Sequence, residues 1–160
     1  MNKKLIIPVV IVILFSFIAV SAFAGEKPQY VDKIKKFIEE SEILNEQIGG
    51  DLWILKFTGV NIKNIRTVVF CANDLVIFQS LMCKAADVDL SKDFYKEMVD
   101  LSNQFDKCKF IVTDDGYVMV RIDSSARLMD LQGFKDDAEQ SAAAVNEAWP
   151  AISKFLKEKE

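Results

Sequence analysis

Residues 107–122, KCKFIVTDDGYVMVRI, leave the chain little choice of local fold. Cys108, Phe110 and Val112 fall on one side of an extended backbone and Lys109, Ile111 and Thr113 on the other. Beyond Asp114-Asp115-Gly116, Val118, Val120 and Ile122 oppose Tyr117, Met119 and Arg121. A period of two marks strands, whose side chains alternate between two faces. Gly116 supplies the positive φ of a tight reversal, and the two carboxylates before it are turn formers. The segment is therefore an antiparallel hairpin, and the rest of the chain has to cover its apolar side.

Two other apolar spacings organise the remainder. Tyr30, Ile34, Phe37, Ile38 and Ser41, then Leu44 and Ile48, recur at helical intervals, and Gly49-Gly50 is expected to stop that helix. Residues 51–58 carry Leu52, Trp53, Ile54, Leu55 and Phe57, too apolar on both sides for a half-exposed strand. They read as a strand whose second face is partly covered. Residues 65–71 and 75–82, separated by Asn73-Asp74, complete a three-strand meander.

A second helix starts after Ser91, a candidate cap, and runs through Phe94, Met98 and Leu101 towards Phe105. The last runs from Phe134 through Ala138, Ala142, Val145 and Trp149, and Pro150 is expected to kink or divide it. The resulting class is α+β: an antiparallel five-stranded sheet with helices packed on one face, in the order α-β-β-β-α-β-β-α.

The amino end has a different character. Lys3 and Lys4 precede an apolar run over residues 5–20, broken only by Ser16, and Ala22-Phe23-Ala24 offers the small-x-small pattern of a cleavage site. Residues 1–24 are expected to be a signal peptide, placing a single domain of residues 25–160 in the periplasm or outside the cell. The alternative is a retained anchor, for which the run is shorter than the usual span of about 20 residues. Without the leader no membrane span is expected. The remaining 136 residues suit one core and hold 18 basic against 24 acidic side chains. That balance, with no basic stripe, argues against a nucleic-acid partner.

The chain has no histidine and three cysteines, Cys71, Cys83 and Cys108. Ser/His/Asp and Cys/His relays are thereby excluded. An exported location permits one disulfide, but all three thiols lie in apolar stretches and pack equally well unoxidised. Their spacing favours no pair and matches no zinc pattern. Cys108 stands between Lys107 and Lys109, yet strand alternation points both lysines away from its sulfur. Asp114 and Asp115 belong to the turn, and Asp87 and Asp89 have the wrong order for a calcium loop. No catalytic residue, metal site or cofactor is expected.

The surface feature that stands out is the hairpin's outer face, where Ile111, Tyr117 and Met119 lie among Lys109, Thr113 and Arg121. A mixed face of this kind suits a dimer contact or a bound segment, and equally an ordinary exposed sheet. Lys109, Ile111, Tyr117, Met119 and Arg121 are the candidate interface.

Residues 95–105, YKEMVDLSNQF, with KFIVTDDGYVMVRID over residues 109–123 and the later Ala148-Trp149-Pro150, resemble the YbjN family. That family's fold is similar to type III secretion chaperones. The likeness spans about residues 29–157 and departs from the family pattern at Arg127, in the connector of residues 123–133. It implies a small α+β module that dimerises and holds other polypeptides, with no catalytic residues to carry over. The expected function is an exported non-enzymatic protein-binding module, chaperone-like or regulatory, whose partner is another polypeptide or a second copy. The alternative is a small-molecule or lipid-binding protein of the cell envelope, its aromatic side chains lining a pocket between helices and sheet.

Overall fold

A computed structural model describes residues 29–158. The expected leader of residues 1–24 lies outside the described residues. Nine main elements follow in order: α1 (Val31–Glu40), β1 (Asn45–Gly49), β2 (Leu52–Phe57), β3 (Ile65–Ala72), β4 (Leu75–Lys84), α2 (Lys92–Gln104), β5 (Lys109–Val112), β6 (Tyr117–Ser125) and α3 (Leu131–Ile152). The strands form one open antiparallel sheet in the order β1-β2-β3-β4-β6-β5. The sheet therefore has six strands where five were expected, and the element order gains a strand before the meander.

The extra strand comes out of the expected first helix. Ser41 ends α1 by offering its backbone a local alternative: its hydroxyl donates to the Ile38 carbonyl at 2.9 Å and accepts from Ile43 N–H at 3.2 Å. Glu42 then takes a positive φ of 62°, which no helix continues through. Asn45–Gly49 pairs with β2, and Gly49-Gly50 makes the turn of a hairpin instead of a helix stop. Leu44 and Ile48 continue the helical spacing by coincidence; Leu44 is exposed.

The other turns match expectation. Asn73-Asp74 joins β3 to β4 with Ala72 opposite Leu75, and Gly116, at φ 85°, closes β5 onto β6. Ser91 caps α2 by accepting from Phe94 N–H, and Asp130 caps α3 by accepting from Gly133 N–H at 2.7 Å. Opposite Val118, β4 bulges so that Met82 and Cys83 share one face.

Pro150 does not divide α3, which continues to Ile152 before a single 3₁₀ turn. A helical proline removes the N–H that would bond the carbonyl four residues back. Here that carbonyl belongs to Asn146, and the side-chain amide of Asn61 donates to it at 2.8 Å. Asn146 Oδ1 in turn accepts from Asn61 N–H at 2.8 Å and from Ile62 N–H, clasping the β2–β3 loop to the helix.

All three helices lie on one face of the sheet, with α3 across its middle. Val69, Val76, Phe78, Val118, Val120 and Ile122 from the strands share one core with Ile34, Ile38, Phe94, Met98, Phe134 and Val145 from the helices. Phe134 stacks against Phe78 with ring centroids 5.4 Å apart. A chain of buried hydroxyls fixes the depth of α3: Thr67 and Ser80 meet at 2.6 Å, and Ser80 and Ser141 at 2.8 Å. The small residues Ala142 and Ala144 beside Ser141 let the helix come this close.

Candidate functional site

Each inward residue of a strand is flanked in sequence by residues that point to the opposite face. On β6 these outward residues are Tyr117, Met119, Arg121 and Asp123, and on β5 they are Lys109 and Ile111. Register sets Lys109 opposite Arg121 and Ile111 opposite Met119, so the hairpin brings four of the five candidate interface residues into two cross-strand pairs. Tyr117, the fifth, lies beside Met119 on the same face. Two of the five are less open than an outer position suggests: Tyr117 is 9% exposed and Met119 only 2%. Met119 is walled in by its row neighbours Leu81 and Ile111 and by Tyr117 and Arg121 along the strand.

The meander extends this face well beyond the hairpin. Leu52, Phe70 and Ile77 lie in one row across β2, β3 and β4, ending at Asp123 on β6. The next row runs Glu46, Ile54, Val68, Gln79, Arg121, Lys109 from edge to edge. A third holds Lys56 opposite Arg66 and, further along, Leu81, Met119 and Ile111. Nine large apolar side chains thus line a face on which no helix packs among the described residues. Ile77, Tyr117 and Met119 are buried yet stand apart from the core shared with the helices. Leu52, Ile54, Val68, Phe70, Leu81 and Ile111 are half-buried.

The charged residues of this face are ordered. Asp123 accepts from Lys109 Nζ at 2.9 Å and from Arg121 Nε at 2.6 Å. Burial pushes its carboxyl up, but these two hydrogen bonds and the charges behind them outweigh it and hold the group below its ordinary value. Glu46 is likewise held low by its hydrogen bond to Lys56, at 2.8 Å. Arg66 and Lys84 are exposed, and neither has a carboxylate within ion-pair distance among the described residues.

Other chemistry-bearing groups are built into the fold. All three cysteines are free thiols, and Cys71 and Cys108 belong to the core. Burial, and secondarily nearby aspartates, push each of the three up to about 11, away from reactive thiolate. For Cys108 the flanking lysines therefore do not prevail. Asp137, near the start of α3, is 3% exposed. It accepts from Lys107 Nζ at 3.1 Å and from Ser124 Oγ at 2.5 Å, which ties α3 to the start of β5 and the end of β6. Both carboxylate oxygens are occupied, so this is a strut.

The surface of the described residues has shallow hollows. One of about 290 Å³ lies beside Asp137, between Leu128, Asp130 and Gly133; another, of about 250 Å³, lies along Lys56, Phe57 and Arg66. Both sit at or below the lower end of ligand pockets, about 300 Å³, and neither is a chamber between helices and sheet. Among the described residues no cluster of His, Cys, Asp or Glu is placed to hold a metal, and no helix is long and apolar enough to cross a membrane.

The described chain has a YbjN-like fold, an open antiparallel sheet carrying helices on one side. The structure of YbjN from E. coli, a candidate transcription regulator, superposes with a TM-score of 0.54 at 14% identity, covering 81% of this chain and 96% of that one. A chain of the heterodimeric ExoU–SpcU complex from the type III secretion system of Pseudomonas aeruginosa superposes with a TM-score of 0.46 at 10% identity, over 65% of this chain and 83% of its own. No family model and no curated protein sequence matches the chain.

Proposed function

We propose that the protein is an exported, non-enzymatic binding module that holds a polypeptide on the outer face of its sheet, opposite α1, α2 and α3, in a chaperone-like or regulatory role. One observation carries this reading: eight large apolar side chains on three adjoining rows, six of them half-buried, line a sheet face on which no helix packs among the described residues. A sheet face of that composition gains free energy when covered, at about 25 cal/mol per Å² of apolar surface removed from water. Export rests on the leader of residues 1–24. Buried thiols of raised pKa and a fully bonded Asp137 fit a binding role better than a catalytic one.

Site-specific photo-crosslinking in the native host tests the reading. A crosslinker in place of Val68, in the middle of the face, is expected to trap a discrete polypeptide in the envelope fraction. The same group in place of Val99, exposed on α2, serves as the control. An intact mass beginning at Gly25 is expected for the extracted protein. Equal crosslinking at both positions, or none at Val68, overturns the binding face; a mass that includes residue 1 overturns cleavage.

A further inference from the structure

The sheet face on which no helix packs among the described residues differs from the rest of the molecule in charge as well. The whole chain carries 20 basic and 24 acidic residues, a net charge of −4. Its outer sheet face reverses that sign, presenting Lys56, Arg66, Lys84, Lys109 and Arg121 against only Glu46 and Asp123. Glu46 neutralises Lys56, and Asp123 is shared between two cations, which leaves one positive charge in that cluster. Arg66 and Lys84 add two more. The cations do not interrupt the apolar rows but stand at their ends: Lys56 and Arg66 beside Ile54 and Val68, and Arg121 and Lys109 beyond Gln79.

From this we infer that the face selects a polypeptide segment bearing both apolar and acidic side chains. The inference rests on the protein-binding reading above and names the chemistry of its partner. A second copy docked face to face would set this positive field against itself, and like charges brought together across an interface cost affinity. An acidic, apolar segment meets both features at once: apolar side chains cover the half-buried Ile54, Val68 and Phe70, and carboxylates reach Arg66 and Arg121. Those two arginines lie on strands separated by one other, about 10 Å across the sheet. The arginines are also offset by two residues along the strands; an extended segment advances about 3.3 Å per residue and turns every second side chain to one face, so carboxylates four residues apart, about 13 Å, match the two cations. Complementary charge of this kind governs which partner is admitted and how fast it arrives more than how tightly it stays.

The test uses protein purified from its native host and fluorescent synthetic peptides of repeating Leu-Ser-Glu-Ser, Leu-Ser-Lys-Ser or Leu-Ser-Ser-Ser, which place Leu and the varied residue on one face of an extended segment, read by anisotropy; they are called the Leu–Glu, Leu–Lys and Leu–Ser peptides. The Leu–Glu peptide is expected to bind best and to weaken from low to physiological ionic strength, where the screening length shortens to about 8 Å. In the double variant Arg66→Glu and Lys84→Glu, its affinity is expected to fall about tenfold, while the Leu–Ser peptide binds as before. Both positions are exposed, so the fold is spared, and Arg66→Gln supplies a milder variant expected to show part of the loss. Equal affinity for all three peptides overturns the charge selection and leaves the binding face standing. Failure of every peptide, together with no crosslink from Val68, overturns both. Self-association that competes with the peptides, or binding to phosphatidylglycerol vesicles in place of them, overturns the inference in favour of a second copy or an anionic membrane.

Discussion

The two faces of the sheet are made from nearly the same residues and live in different surroundings. On β3, Val69 is fully buried under the helices, whereas Val68, one residue earlier, is half-exposed on the opposite side. On β4, Phe78 packs against Phe134, while Leu81 is half-buried on the side where no helix packs among the described residues. Residue type therefore does not separate what holds the fold together from what is available to a partner. Cover does: apolar surface sealed inside the protein contributes to folding, and the same surface left open contributes only when something arrives.

The sharpest way to break this distinction is to truncate one aromatic on each face. Phe134→Ala removes a fully buried ring from the contact between α3 and the sheet, and is expected to cost about 3–5 kcal/mol in urea unfolding. Phe70→Ser on the outer face is expected to cost about 1 kcal/mol or less, because the ring is already half in water, while abolishing the crosslink from Val68. Equal costs for the two would mean that the outer face is part of the core.

The smallest effect concerns acid. Asp123 titrates below its ordinary value in the folded chain, so the stability it lends is present above that ordinary value and is lost as pH falls through the lower, folded one. Asp123→Asn is expected to be slightly less stable than the parent at neutral pH, and the gap should close in acid below the carboxylate range. A gap that widens in acid would contradict the pairing with Lys109 and Arg121.

The parts of the fold legible in the sequence are those where a local rule and the tertiary surroundings agree. The β5–β6 hairpin has strict alternation and a glycine at its turn, and α2 has its serine cap; both stand where expected. β1 was hidden because its residues, NEQIG, neither alternate nor carry strand-forming bulk, and an edge strand with one exposed side needs neither. What makes it a strand is the free edge of β2, which lies beyond it in sequence. Pro150 misleads for a similar reason: its cost is set by an orphaned carbonyl, and the Asn61 amide that satisfies that carbonyl is 85 residues from Asn146 in the chain. At the site, alternation identified the hairpin's outer residues directly. Leu52, Ile54, Val68, Phe70, Ile77 and Leu81 escaped notice because strands apolar on both sides do not say which side a helix will take.

The margins of the sheet carry a consequence of their own. An open sheet ends in two rows of unpaired backbone groups, and one with an uncovered apolar face is doubly exposed to stacking and to end-on growth into fibres. β1 has five residues and is bulged at Ile48, and β5 has only four and begins with Lys109. Neither margin offers a long, flat template to a neighbouring chain. For the proposed binding face, contact with a partner is thus confined to a plane and withheld from the edges where it would propagate.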